Sequence, residues 1–204
     1  RMHKNEWTSS EETFVPPEWW NACRQPIPPL EDSQPCVIAA DAAVSGDSFS
    51  VLMLSGREDG ERFDVRYARC WYPPKGGKID YQGTEDSPGP EMEIRRLIDI
   101  YNVCEVCYDE YQLHDFMNRL RKDLIVHVFS FLQGTPRLIS DKQLQDKIKA
   151  RTIAHSGESD LREHIENANA KTEGEKLRIV KRADNKKIDL AVCLSMATER
   201  ARHW

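Results

Sequence analysis

Cys36-Val-Ile-Ala-Ala-Asp-Ala-Ala-Val-Ser-Gly-Asp-Ser-Phe-Ser-Val-Leu-Met-Leu54 places two apolar runs on either side of a small-residue turn, with an acid at each edge of that turn. Runs of this length around a Gly/Ser turn read as a β-hairpin. Residues 36–40 are apolar without alternation, which suits a strand covered on both faces. Asp41 then lies at the open end of a central strand and Asp47 at the far edge of the turn, where Ala42, Ala43, Ser45 and Gly46 leave room for something to come close. A single acid in such a place is a common turn former. Further acids at comparable positions along the chain give it another meaning.

Outward from the hairpin, residues 62–71 alternate and are rich in aromatic and β-branched side chains, extending it to a three-stranded meander. Residues 72–90 hold four prolines and four glycines and read as a long loop. Met92, Ile94, Leu97, Ile98 and Tyr101 recur at helical spacing, and the strand-like Val103-Cys-Glu-Val-Cys-Tyr108 follows. A crossover helix between two strands makes the second strand parallel to the first. It ends in Asp109-Glu110, another acid just past a buried strand, and the carboxyl ends of strands are where sites form in α/β sheets. The pattern continues with a helix over 112–121, a strand over 124–131, giving five strands in the sheet, and a helix over 140–150. A further helix is expected over 158–171, a basic strand-like stretch over 176–182 and a last helix over 187–202, which buries Ile188, Ala191, Val192, Ser195 and Met196. Asp189 stands in the first turn of that helix. An acid there interacts favourably with the helix N-terminus, by about 0.3–1 kcal/mol. It is followed at once by the apolar Leu190-Ala-Val-Cys193, which turns it toward the core beside Asp41 and Asp109.

Composition limits the alternatives. With 39% hydrophobic and 31% charged residues, the 204-residue chain is expected to fold as an ordinary globular protein. No apolar run approaches the ~18 residues of a transmembrane helix and no signal pattern opens the chain, so no membrane partner is expected. The net charge of −5 leaves nucleic-acid binding to local basic patches or bound cations. Lys181, Arg182, Lys186 and Lys187 form such a patch, or else an ordinary solvated surface. The six cysteines follow no framework spacing and read as reduced, buried thiols. The Cys104–Cys107 pair lacks the second Cys or His pair that zinc requires. The histidines are poor evidence for a site either way: His127 reads as a packed strand residue, and His155 as a minor candidate for a place near the site. Residues 1–35 carry Trp7, Trp19, Trp20 and six of the eleven prolines, with a short helix near 17–24. They read as a linker or brace. The absence of an initiator Met and of a phosphate-binding G-x-x-x-x-G-K-[ST] loop suggests a piece of something longer.

Acids from a first strand, a later strand end and a final helix are arranged as in the ribonuclease H-like fold. The sequence more closely resembles the nuclease domain of tailed-phage terminase large subunits. The resemblance rests on Ala40-Asp-Ala-Ala-Val-Ser-Gly-Asp47, Tyr108-Asp-Glu-Tyr-Gln112, Ile153-Ala-His-Ser-Gly157, Leu161-Arg-Glu-His164, Asn167-Ala-Asn169 and Lys187-Ile-Asp-Leu-Ala191, in that order, and on Arg1-Met-His-Lys-Asn-Glu-Trp7. It implies an α/β fold with a mixed central sheet, a three-stranded antiparallel meander plus parallel strands, flanked by helices. By that resemblance residues 1–35 follow an absent ATPase domain and residues 36–204 form the nuclease.

The resemblance also implies the chemistry. Hydrolysis of a phosphodiester needs a deprotonated water, neutralised phosphate charge and a stabilised leaving oxygen, which two divalent ions ~3.5–4 Å apart supply together. Carboxylates are the ligands Mg²⁺ and Mn²⁺ prefer. Asp41 is expected to bridge both ions, Asp109 to hold one and Asp189 the other, with Asp47 as an auxiliary acid. The expected partner is double-stranded DNA, cut with little sequence preference, and in the parent protein the ATPase domain, portal and small terminase subunit. The expected location is the host cytoplasm, at the viral procapsid. Two alternatives remain open at this level: another ribonuclease H-like nuclease, such as a resolvase or transposase core, and a metal-free docking module of the same fold.

Overall fold

The computed structural model describes residues 11–42, 48–123, 126–174 and 176–204. The turn of the first hairpin, with Asp47, lies outside the described residues. The chain opens with strand β1 (Glu11–Thr13) and helix α1 (Pro17–Ala22), whose Pro17 takes the first-turn position that tolerates a missing N–H. The expected meander follows as β2 (Cys36–Ala42), β3 (Phe49–Gly56) and β4 (Phe63–Trp71), each antiparallel to the next. Helix α2 (Pro90–Ile100) then crosses to β5 (Val103–Asp109), which pairs parallel with β2. Helix α3 (Glu110–Asp123) leads to β6 (His127–Phe131), parallel to β5, and α4 (Thr135–Lys149) follows.

The sheet has six strands among the described residues, in the order β6-β5-β2-β3-β4-β7, rather than five. The extra strand is β7 (Ile153–Ala154), a two-residue segment parallel to β4, too short to give a periodic signal. The helix expected over 158–171 is also shorter. Helix α5 (Ser159–Glu166) stops at Asn167, and β8 (Ala168–Glu173) begins. Ala and Lys are good helix formers, but Ala168 and Ala170 are buried alternately along a strand that pairs with β1 on one side and β9 (Lys176–Lys181) on the other. Tertiary pairing overrides local propensity here. The three strands form a separate antiparallel sheet, so the basic β9 does not extend the central one. Residues 11–24 are built into the same core, with Phe14, Val15, Trp20 and Cys23 buried.

The loop over 72–90 is held at many points. Trp71 Nε1 donates to Pro88 O at 2.9 Å, and Tyr81 packs edge-on against Phe49 and Phe116. Thr84 and Ser87 exchange backbone hydrogen bonds at 3.0 and 3.1 Å. Gly83, at φ +69°, lies so near the backbone of residues 87–89 that a Cβ there would clash.

Side-chain parity on β2 divides the core. Cys36, Ile38 and Ala40 face α2 and α3, packing with Ile94, Leu97, Leu113 and Phe116. Val37 and Ala39 face the other way, toward α6 (Asp189–Ala201) and residues such as Leu144, Leu161, Leu190 and Leu194. Every residue from Asp189 to Thr198 is buried. A helix covered on all sides in this way is fixed by its neighbours: it lies on the sheet, with α4 and α5 packed against it. Among the described residues no helix is long and apolar enough to cross a membrane.

Candidate functional site

The parity that buries Val37 and Ala39 carries Asp41 to the α6 face, since successive strand residues alternate between faces. On β5, Cys107 belongs to the same face, and Asp109 lies two residues on. The parallel register pairs Ala40 with Tyr108. One step further brings Asp41 beside Asp109 on strands ~4.8 Å apart. Helix α6 begins at Asp189 over the same sheet end. All three acids line one open cleft of about 440 Å³, together with Gln133, Arg137, Arg178, Lys181 and Ile188.

Asp41 is 8% exposed and Asp189 6%. Burial first, then the Asp189 and Asp109 carboxylates, push the Asp41 carboxyl well above its ordinary range, while Arg137 and a hydrogen bond with the Ala42 backbone oppose that rise. Ser48 Oγ donates to Asp189 Oδ2 at 2.6 Å and so orients that carboxylate. Beneath the cleft, Asp141 is wholly buried and accepts from Arg137 Nε at 2.6 Å, Ser195 Oγ at 2.6 Å and the Ile179 N–H at 2.9 Å. This network ties α4, α6 and β9 together under the acids.

The donor set suits a hard divalent cation. It consists of carboxylate oxygens, and one carboxyl bears a charge penalty from burial and like charges that a cation would relieve. Among the described residues, however, no three Asp, Glu, His or Cys side chains form a group compact enough to hold an ion. Magnesium usually keeps several waters and takes one or two carboxylates, so Asp41, Asp109 and Asp189 are the residues that would hold it here. Asp47 lies outside the described residues.

Of the four basic residues read from the sequence, Lys181 lines the cleft. Arg182 and Lys186 are exposed and Lys187 is half-buried, and none of the three lines the cleft. The arginines that do line it, Arg137 and Arg178, were not singled out from the sequence. Arg137 could have been sought through its i,i+4 spacing to Asp141, which marks a helix-face ion pair. The histidines divide differently from expectation. His127 is not packed in the core: its side chain is 58% exposed and its Nδ1 lies 3.1 Å from Glu105 Oε2, because β6 is an edge strand. His155 stacks on Trp20 at 4.0 Å and hydrogen-bonds through Nε2 to Trp20 O, so its role is packing. His164 abuts the site through α6, since its Nδ1 accepts the Leu190 N–H at 2.9 Å. Cys104 and Cys107, three apart on β5, point to opposite faces.

No curated protein sequence matches the chain significantly. Among solved structures, the large terminase of bacteriophage HK97 superposes with a TM-score of 0.78 over 95% of this chain at 16% identity. The chain spans 44% of that protein's length. The large terminase nuclease of thermophilic phage G20c matches with a TM-score of 0.66 at 10% identity, covering 93% of this chain and 98% of its own. Its magnesium-bound form gives 0.63 at 11% identity, covering 93% and 97%. At these identities the likeness establishes the fold, a ribonuclease H-like mixed sheet flanked by helices. The family model described as "Terminase large subunit, endonuclease domain" matches residues 74–204, which include Asp109 and Asp189, while Asp41 lies before the matched span. Matched over more than half its length, the chain belongs to the family of terminase large subunit endonuclease domains.

Proposed function

We propose that this domain is a divalent-metal-dependent endonuclease that hydrolyses phosphodiester bonds of duplex DNA with little sequence preference, using Asp41, Asp109 and Asp189. The observation that carries the reading is the meeting of two adjacent strand ends and a helix N-terminus, each bearing an acid, in one cleft beside Arg178 and Lys181. Two Mg²⁺ or Mn²⁺ ions, when bound, would supply a deprotonated water and neutralise charge at the scissile phosphate. Asp41, which feels both other carboxylates, is assigned to both ions, Asp109 to one, Asp189 to the other and Asp47 to an auxiliary role. The magnesium- and cobalt-bound forms of the G20c nuclease support this choice of cofactor.

The chain's own side chains do the rest. Ser48 holds Asp189 in place, and Arg137 offsets part of the acid charge. Arg178, Lys181, Arg182, Lys186 and Lys187 supply cations for the DNA backbone. Such contacts hold a duplex without reading its bases. Because the chain spans 44% of the HK97 protein, we place it within a longer packaging protein. There an N-terminal ATPase domain precedes residues 1–35, of which 11–24 pack into the core of the nuclease of residues 36–204. The assembly works with the portal and small terminase subunit on concatemeric DNA, at the procapsid in the host cytoplasm.

Plasmid nicking tests the site. Asp41→Ala, Asp109→Ala and Asp189→Ala are each expected to abolish cutting while the melting transition stays cooperative, and retained nicking removes that residue from the site. Asp47→Ala is expected to weaken activity in part, most at low metal. Cleavage confined to four-way junctions would instead assign the domain to the resolvase-like nucleases.

A further inference from the structure

Helix α6 presents Asp189 without a side-chain cap of its own. Its N-cap residue is Ile188, which makes no side-chain capping hydrogen bond. The first N–H groups of a helix have no partner within it and need one from elsewhere. For Leu190, the residue directly after Asp189, that partner is His164 of α5, whose Nδ1 accepts the Leu190 N–H at 2.9 Å. His164 is fully buried. Its Nε2 lies 3.2 Å from the Oη of Tyr72, a residue 51% exposed at the end of β4. With Nδ1 accepting, the neutral ring carries its hydrogen on Nε2 and donates it to Tyr72. The chain therefore runs from an exposed phenol through a buried imidazole to the peptide that joins Asp189 to Leu190. Ser48 Oγ donates to the carboxylate of the same aspartate at 2.6 Å.

We propose that His164 is a positioning residue for Asp189, capping α6 from outside the helix and fixing the Asp189–Leu190 peptide, with Tyr72 holding the imidazole in the accepting tautomer. The inference rests on the reading of Asp189 as a metal ligand. Groups that orient a ligand without touching the ion commonly change metal affinity or activity by about 10- to 100-fold when removed. A group that only packs changes the melting temperature alone.

The test measures Mn²⁺ binding from the electron paramagnetic resonance signal of unbound ion, with melting curves and plasmid-cleavage kcat and KM alongside. The variants are His164→Asn, His164→Gln, Tyr72→Phe and Asp189→Asn. Asparagine keeps an acceptor where Nδ1 stands, and glutamine places its amide near Nε2 and leaves the Leu190 N–H without its acceptor. His164→Gln is expected to weaken Mn²⁺ binding about 10- to 100-fold and to lower kcat with KM for DNA unchanged, while His164→Asn binds Mn²⁺ as the wild type does. Tyr72→Phe, at an exposed position, shifts Mn²⁺ binding in the same direction as glutamine by a smaller factor and remains informative if His164→Gln does not fold. Wild-type Mn²⁺ binding in His164→Gln overturns the proposal, as does lost binding in a well-folded His164→Asn. If His164→Gln does not fold, unchanged binding in Tyr72→Phe overturns it. Asp189→Asn separates the two levels: undiminished Mn²⁺ binding there refutes Asp189 as a ligand and the inference with it, whereas loss there beside an unaffected His164→Gln refutes the inference alone.

Discussion

Removing Arg137 probes the floor of the cleft. The Arg137 side chain is 3% exposed and that of Asp141 0%, with the Nε–Oδ1 contact at 2.6 Å. Arg137→Met leaves Asp141 charged and buried, retaining only its bonds from Ser195 and the Ile179 N–H. Breaking a buried pair from one side costs about 3–5 kcal/mol, because the remaining charge is uncompensated. For a domain of this size each kcal/mol moves the melting temperature by roughly 2–4 °C, so the expected fall is about 6–20 °C. Arg137→Met/Asp141→Asn removes both charges yet keeps an acceptor for Ile179, and it should recover much of that loss. The effects are measured by thermal melts monitored by circular dichroism, with both single variants and the double completing the cycle. Additive losses, with the double variant as unstable as the two singles combined, would refute the account of Arg137 as the counterion of Asp141. A cut-competent Arg137→Met with an unchanged melting temperature would refute it outright.

Other outcomes follow from the same geometry. Asp41 has a raised pKa in the folded protein, so its ionisation disfavours folding as pH rises through that value, and the penalty is absent in acid, where the carboxyl is protonated in both states. Asp41→Asn should therefore melt a few degrees higher than wild type at pH 8 in EDTA, by ~1 kcal/mol, and the gain should vanish well below the ordinary carboxyl range, where Asp41 is protonated in both states; a gain confined to acid would contradict the assigned cause. Lys181→Ala should reduce the slope of log affinity against log salt by about 0.9 if Lys181 neutralises one phosphate, as read by filter binding, and an unchanged slope would remove it from the DNA path. Cleavage by this domain should be slow and nonspecific, supported by Mn²⁺ at least as well as by Mg²⁺, which demands near-ideal octahedral geometry. Added ATP should leave the rate unchanged, and stimulation by ATP would refute that expectation.

Much of this architecture was legible in local pattern. The unbroken apolar run at 36–40, the alternation at 62–71 and the helical spacing at 92–101 each report burial on one or two faces, which is a property of neighbouring residues along the chain. The same patterns placed Asp41 and Asp109 just past buried strands and Asp189 at the start of an apolar helix. Segments whose conformation depends on distant partners were not legible. Ala168–Glu173 has helical composition and becomes a strand because β1 and β9 flank it. Ile153–Ala154 joins the sheet only because β4 offers an edge. Which basic residues line the cleft with the acids was settled by the separate sheet of β1, β8 and β9, whose β9 brings Arg178 and Lys181 to it, while the exposed Arg182 and Lys186 are not part of its lining. His164 and Ser48, 26 and 141 residues from their partners Leu190 and Asp189, carry no local signal at all. The sequence by itself determined the meander, the helices and strands with a clear burial period and the positions of three acids, because burial periodicity is written into adjacent residues. Only the tertiary structure decided that these acids share one face, and which side chains hold and offset them, because strand register and helix packing join residues that no local pattern connects.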